Sequence, residues 1–267
     1  MNLENLTSEV SKLARQTGEF VRKAASEFSK DSIEYKGLND LVSYVDKQTE
    51  ELLVAGLSKI LPEAGIIAEE GTSEQAENHN LAWIIDPVDG TTNYIHGVPV
   101  FAISIALIKE SKIVLGVVYE INRDECFSAW LGGGAYLNEK PIQVSSAKTL
   151  GESLIATGFP YYDFELMENY IGILKELMQK SHGLRRFGAA AVDLAYTACG
   201  RFDGFFEYNL KPWDVAAGTL IVQEAGGFVK DFKGGDDFVF GRELIAGCAM
   251  FPELEEVIVR NWNITKS

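Results

Sequence analysis

Cysteine is nearly absent. Cys126, Cys199 and Cys248 are the only three in 267 residues, an odd number with no paired spacing. That excludes a disulfide framework and reads as reduced, buried thiols of a cytoplasmic protein. Histidine is as scarce, and the scattered His79, His96 and His182 leave little material for a zinc site. Basic charge is in deficit: 24 Lys and Arg stand against 39 Asp and Glu, for a net charge of −15. This balance argues against nucleic acid or anionic lipid as the main partner and favours cations. Most of the excess carboxylates belong to an ordinary solvated surface. No uncharged apolar run is long enough to span a membrane. The opening "MNLENLTSEVSKLARQ" has no continuous apolar core, so no signal peptide is expected. No repeat or low-complexity linker interrupts the chain.

What is present suits a globular protein with an ample core. Hydrophobic residues make up 46% of the chain, with fifteen Phe, ten Tyr and four Trp. Leu3, Leu6, Val10, Leu13, Phe20 and Ala24 recur at helical intervals, as do Leu41, Val45, Leu52, Val54 and Leu57, with Asn39 or Asp40 as N-cap of this second helix. Short β-branched strands follow at 66–68, 82–85, 101–108, 113–119 and 126–130, and "AYLNEKPIQVS" reads as a hairpin turning at Asn138. Gly132-Gly133-Gly134 lacks the Lys-Ser/Thr and helix of a phosphate loop and reads as a tight turn. Beyond residue 150, strands and helices alternate. These patterns predict a layered α/β fold with mixed sheets, in two halves, 1–148 and 149–267, forming one compact unit.

The densest chemistry lies in "WIIDPVDGTTNYIHG", residues 83–97. An apolar strand ends in Asp86, and Asp-Pro-x-Asp predicts a turn that points Asp86 and Asp89 into a common space. Two carboxylates held so close repel unless a proton or a cation lies between them. A hard-oxygen donor set selects Mg²⁺, Mn²⁺ or Ca²⁺. Glu69-Glu70 also follows an apolar strand, "GIIA", and Asp214 occupies the first turn of an apolar helix. An isolated "DPVDG" is more often a plain turn. Three acidic loci at the ends of apolar elements instead point to one multi-metal centre, with Gly90 and Thr91 supplying N–H donors for a phosphate.

On "AEEG" (68–71), "WIIDPVDGTTNYIHGVPVFAISIAL" (83–107), "RRFGAAAVDLAYTACGRFDGFFE" (185–207) and "KPWDVAAGTLIVQEAGG" (211–227), the chain resembles the inositol monophosphatase family. That family belongs to the metal-dependent, lithium-sensitive phosphatases that include fructose-1,6-bisphosphatase. The similarity covers nearly the whole chain. It implies an αβαβα layered sandwich, a homodimer, and hydrolysis of inositol monophosphate by an activated water with no phosphoenzyme. Two or three Mg²⁺ are implied, with Mn²⁺ able to substitute. Glu69, Asp86 and the Val88 carbonyl would hold the first ion, and Asp86, Asp89 and Asp214 the second. Glu70 and Thr91 would orient the water, with Asp46 hydrogen-bonded to the threonine. Asp89, Ala190 and Glu207 resemble the group that meets inositol hydroxyls, while Lys36 and Arg185 are further basic candidates. Ala189 stands where relatives often carry Ser or Thr. Alternatives are a phosphatase for fructose-1,6-bisphosphate, histidinol phosphate or 3′-phosphoadenosine 5′-phosphate, and a non-catalytic regulatory protein on the same fold.

Overall fold

Trp83 and Ile85 face one apolar layer while Ala82 and Ile84 face another, and this period-2 sorting recurs along the neighbouring strands, interrupted at a register shift beside Val114 and Leu115. The computed structural model describes residues 1–27, 33–37, 40–76, 80–160 and 164–262, with the backbone alone for 33–37 and 40–43. Its first elements are α1 (Leu3–Glu27), β1 (Ile33–Gly37), β2 (Asp40–Ser43), α2 (Tyr44–Ile60), β3 (Gly65–Ala68), β4 (Leu81–Asp89) and α3 (Thr91–His96). A meander follows: β5 (Ala102–Lys109), β6 (Lys112–Glu120), β7 (Glu125–Trp130), β8 (Gly134–Leu137) and β9 (Lys140–Ile142). The remainder is β10 (Leu154–Thr157), α4 (Met167–Lys180), β11 (Gly183–Arg185), α5 (Ala190–Ala198) and β12 (Gly204–Tyr208). After these come α6 (Pro212–Glu224), β13 (Phe228–Lys230), β14 (Glu243–Gly247) and α7 (Phe251–Trp262).

One sheet has seven strands in the order β3-β4-β5-β6-β7-β8-β9, antiparallel except for the parallel β3/β4 pair. The other has five, β11-β10-β12-β14-β13, with parallel and antiparallel pairs. On α1 the buried Leu6, Val10, Ala14, Val21 and Ala24 form one stripe, which packs with α2 over Trp83, Ile85, Ile103 and Leu107. The opposite face of that sheet offers small side chains, Ala82, Ala102 and Ala106, to α5 and α6. These two helices in turn rest on Phe205, Leu244 and Ala246 of the second sheet. Phe206 and Ile245 on its far side pack under α4 and α7. The result is five layers: helices, sheet, helices, sheet, helices. No helix among the described residues is long and apolar enough to cross a membrane.

The small residues have a geometric purpose. A Cβ at Gly116 of β6 would lie 2.6 Å from the Ala217 carbonyl oxygen of α6. Only a glycine lets the helix lie that close to the sheet. α6 is buried from Val215 to Val222 on every side, as expected of a helix apolar all round. This central placement brings its first turn, with Asp214, towards the end of β4.

Two expectations are corrected. The second helix begins at Tyr44 rather than near Leu41, and Asp40 is not its N-cap. Residues 40–43 instead pair antiparallel with β1, Ile33 opposite Ser43, because a short Leu-Val pair suits a strand at least as well as a helix; Asn39 lies outside the described residues, as does His79. The glycine run 132–134 joins β7 to β8. Its Gly132 and Gly134 N–H groups donate to the two Glu224 carboxylate oxygens, each at 2.8 Å. All three cysteines are free thiols, with Cys199 less buried than the other two.

Candidate active site

Asp86 pairs with Ser104 and Asp89 with Ala102, so β4 carries one more residue than β5 between these points. Pro87 has no N–H for the ladder, and an interruption there is tolerated only as an irregularity. On an unbroken strand, residues three apart point to opposite faces. The extra residue rephases the alternation, and Asp86 and Asp89 line the same cleft. The turn predicted for Asp-Pro-x-Asp is therefore a bulge inside a continuing strand. The chain turns at Gly90, whose φ of 95° lies in the left-handed region, and Thr91 opens α3.

The cleft has a volume of about 290 Å³, at the small end of the range for small-molecule sites. Glu69 reaches it from the end of β3, and Asp86, Val88, Asp89, Gly90 and Thr91 from the β4–α3 junction. Ala190 comes from the start of α5, Glu207 from β12 and Asp214 from the first turn of α6. Local hydrogen bonds fix Asp86, Asp89, Asp214 and Thr91. Asp86 Oδ1 accepts the Val88 N–H at 3.0 Å. Asp89 spans the N-terminus of α5, its oxygens accepting the Ala190 and Ala191 N–H groups at 3.2 and 2.7 Å. Asp214 accepts the Lys211 N–H at 2.7 Å. The Thr91 hydroxyl lies 3.1 Å from both Asp46 Oδ1 and the Val88 carbonyl oxygen, and it has one proton to give.

Crowding and burial make the carboxylates difficult to ionise together. Asp86, 2% exposed, is pushed well above the usual carboxylate range, first by burial and then by the charges of Glu69, Asp89, Asp214 and Asp46. Burial and Asp214 raise Asp89 to about 7, against the pull of the α5 amides. Asp214 rises to about 6 through burial, opposed by the Lys211 N–H and charge. Glu207 is raised by burial and by Asp214, with Arg186 working against the shift. Among the described residues no three acidic, His or Cys side chains already stand as a closed metal chelate. The chemistry of the donor set nevertheless fits a hard divalent cation. The neighbouring charges that act most on Asp86 are all negative, and the surrounding donors include carboxylate and carbonyl oxygens.

Not every expected residue reaches the cleft. Asp46 is 1% exposed and acts through Thr91. Glu70 follows Glu69 but is not among the cleft-lining residues. Arg185 is exposed on the edge strand β11, its guanidinium donating to the Leu184 carbonyl at 2.9 Å. Its neighbour Arg186 lines the cleft instead, with its guanidinium 5.5 Å from the centre of the Phe159 ring. The Lys36 side chain lies outside the described residues. Glu50 was not anticipated. It is fully buried and hydrogen-bonded to the Glu70–Thr72 turn. The available signal was its position on an apolar stripe with Leu53 and Leu57.

Five alternating layers with a carboxylate-lined cleft at the end of a bulged strand define a layered α/β protein built around a cation-attracting centre. The inositol monophosphatase family model matches residues 2–264, and the chain belongs to that family. It is 45% identical over 235 residues to the putative Nus factor SuhB of Neisseria meningitidis serogroup B, covering 88% of this chain and 90% of that protein. It is 40% identical over 234 residues to the inositol-1-monophosphatase of Mesorhizobium japonicum, covering 88% of each. The crystal structure of the extragenic suppressor protein suhB from Bartonella henselae superposes with a TM-score of 0.88 at 40% identity, over 97% of this chain and 98% of that one. The five-layer arrangement is thus the fold of the family, whose members are generally metal-dependent.

Proposed function

We propose that the protein is a Mg²⁺-dependent phosphomonoester hydrolase acting on inositol monophosphate. The observation that carries this reading is the convergence of Asp86, Asp89, Asp214 and Glu69 on one cleft beside Thr91, whose hydroxyl is held by a buried acid. Glu69, Asp86 and the Val88 carbonyl would hold one ion, and Asp86, Asp89 and Asp214 a second. Glu69 would also serve a third ion, and Mn²⁺ could replace Mg²⁺. When bound, the ions neutralise the cleft and supply Lewis-acid activation of water and of the leaving oxygen.

The remaining work falls to the chain. Thr91 gives its one proton to Asp46 or to the Val88 carbonyl, which leaves its oxygen lone pairs to accept from the attacking water. Glu70, next to Glu69 but not itself lining the cleft, would be the second group to orient that water. The first-turn N–H groups at Gly90 and Thr91 have no acceptor within α3 and suit phosphate oxygens. Glu207 and Asp89 take the polyol hydroxyls. The Ala190 N–H donates to Asp89 and so contributes by orienting that carboxylate. Ala189 brings no hydroxyl, and Arg186 and Glu207 form the wall nearest the substrate's far side. Hydrolysis is direct, without a phosphoenzyme, in a cytoplasmic homodimer.

Steady-state turnover of inositol 1-phosphate, fructose-1,6-bisphosphate, histidinol phosphate and 3′-phosphoadenosine 5′-phosphate tests the substrate. Inositol 1-phosphate is expected to have the highest kcat/KM, and a clear preference for another ester would replace it. Asp89→Asn is expected to lose most turnover with little change in folding. A second reading is favoured by the names of the Nus factor relatives: a protein of this fold that acts through a macromolecular partner. A folded, Mg²⁺-saturated protein that hydrolyses none of the four esters would favour it.

A further inference from the structure

We propose that Glu50 is a positioning residue of the site, its carboxylate holding the Glu69–Thr72 turn in the conformation that presents Glu69 to the cleft. The proposal rests on the hydrolase reading for its consequence in turnover, but not for its geometry. Glu50 is 0% exposed on α2, a costly place for a carboxylate unless hydrogen bonds replace the lost water. It accepts three, all from one turn. Oε2 accepts the Glu70 N–H at 2.7 Å, and Oε1 accepts the Thr72 N–H at 2.7 Å and the Thr72 hydroxyl at 2.8 Å. The Glu70 N–H belongs to the peptide that joins Glu69 to Glu70. Fixing that peptide plane fixes the direction in which both side chains leave the backbone.

The rest of the segment is held less directly. The Glu69 N–H donates to the Ile85 carbonyl at 3.3 Å, a long bond. Farther on, the Gln75 side chain accepts the Ala68 N–H at 2.8 Å, and the Ala76 N–H returns to Ile66 at 2.6 Å. These bonds close the loop around its base, while its tip is secured by Glu50. The same helix carries Asp46 one turn earlier, also buried, and Asp46 holds Thr91. Residues four apart share a helix face about 6 Å apart. α2 therefore grips both sides of the cleft with two carboxylates on one rigid face, setting the spacing between the Glu69 turn and the Asp86–Thr91 segment. A purely stabilising role would not require both grips to fall on the two segments that line the cleft.

The test compares wild type with Glu50→Gln, which keeps the shape but turns one acceptor into a donor facing a donor. Three quantities are measured: Mn²⁺ affinity by calorimetry, hydrogen exchange at the Glu70 and Thr72 amides, and kcat and KM for inositol 1-phosphate. Mn²⁺ affinity and kcat are expected to fall by about 10–100-fold, the range for groups that orient metal ligands. Exchange at the two amides should quicken, and KM should change by less than about threefold, since uniform substrate binding is untouched. Glu50→Asp, with both acceptors on a shorter arm, should fall between the two. Should Glu50→Gln not fold, Thr72→Val removes only the hydroxyl donor and should weaken Mn²⁺ binding in the same direction. Wild-type Mn²⁺ affinity in folded Glu50→Gln or in Thr72→Val would overturn the proposal, as would a variant that loses only melting temperature. Absence of phosphate release from wild type would count against the hydrolase reading alone, because Mn²⁺ affinity and amide exchange decide the role of Glu50 without turnover.

Discussion

Raising the pH of the metal-free protein should destabilise it, and divalent cation should reverse the trend. Asp89 rises from 3.8 to about 7 on folding, so the folded state holds its proton more tightly than the unfolded chain. The stability gained is complete below the unfolded value and is lost as pH rises through about 7. About three units at about 1.4 kcal/mol each amount to about 4 kcal/mol in all, more than half of it falling between about pH 5 and about pH 8. At about 2–4 °C per kcal/mol, the melting temperature in EDTA should drop by about 5–10 °C across that interval. Asp86, Asp214 and Glu207 are raised in the same direction and add to the trend as one interacting group. In saturating Mg²⁺ the slope should flatten or invert, since the ion requires the carboxylates deprotonated. The assay is differential scanning calorimetry in EDTA and in Mg²⁺ at both ends of the range, with Asp89→Asn as control. In EDTA the melting temperature of that variant should fall less with rising pH than that of wild type, because the Asp89 titration is gone while one of the two α5 amides loses its acceptor. A metal-free wild type that melts as high at about pH 8 as at about pH 5 would refute the electrostatic reasoning.

Two glycines give sharper steric tests. A Cβ at Gly158 would run into the Glu207 carboxylate, so Gly158→Ala should raise KM for inositol 1-phosphate about tenfold or more while leaving Mn²⁺ affinity near wild type. Equal loss in both would show that Glu207 belongs to the cation site instead. Gly116→Ala should cost about 1–3 kcal/mol in urea unfolding, because its Cβ would meet the Ala217 carbonyl at 2.6 Å. It should also weaken Mn²⁺ binding by displacing the start of α6. An unchanged unfolding midpoint would mean that α6 can shift without cost.

How much of this was legible in the sequence depended on whether the signal was local. The alternation in "LAWII" and the stripe in α1 are local, and both elements form as read. The Asp-Pro-x-Asp stretch was legible in its consequence but not in its form. Any residue set that breaks a strand ladder at Pro87 re-aims the second aspartate, and the pattern cannot tell a bulge from a turn. Leu41-Val42 went to a strand, paired with β1 in a hairpin, because so short an apolar run fits a strand and a helix period equally well. Asp46 and Glu50 look like solvated helix-face acids when only hydrophilicity is considered. Their intervals of four, three and four from Asp46 to Glu50, Leu53 and Leu57 mark a polar group on a buried stripe, which needs a partner inside. Arg185 and Arg186 could not be ranked, because β11 ends at Arg185 and only the residue beyond it lines the cleft.

Phosphate release from inositol 1-phosphate, by wild type and by Asp86→Asn, each with Mg²⁺ and with EDTA, tests the central claim most directly. The expected result is release by wild type that requires Mg²⁺ and is abolished in Asp86→Asn, with the variant still folded. Release that survives EDTA, or that Asp86→Asn carries out at the wild-type rate, would contradict the assignment of this cleft as a metal-dependent hydrolytic centre.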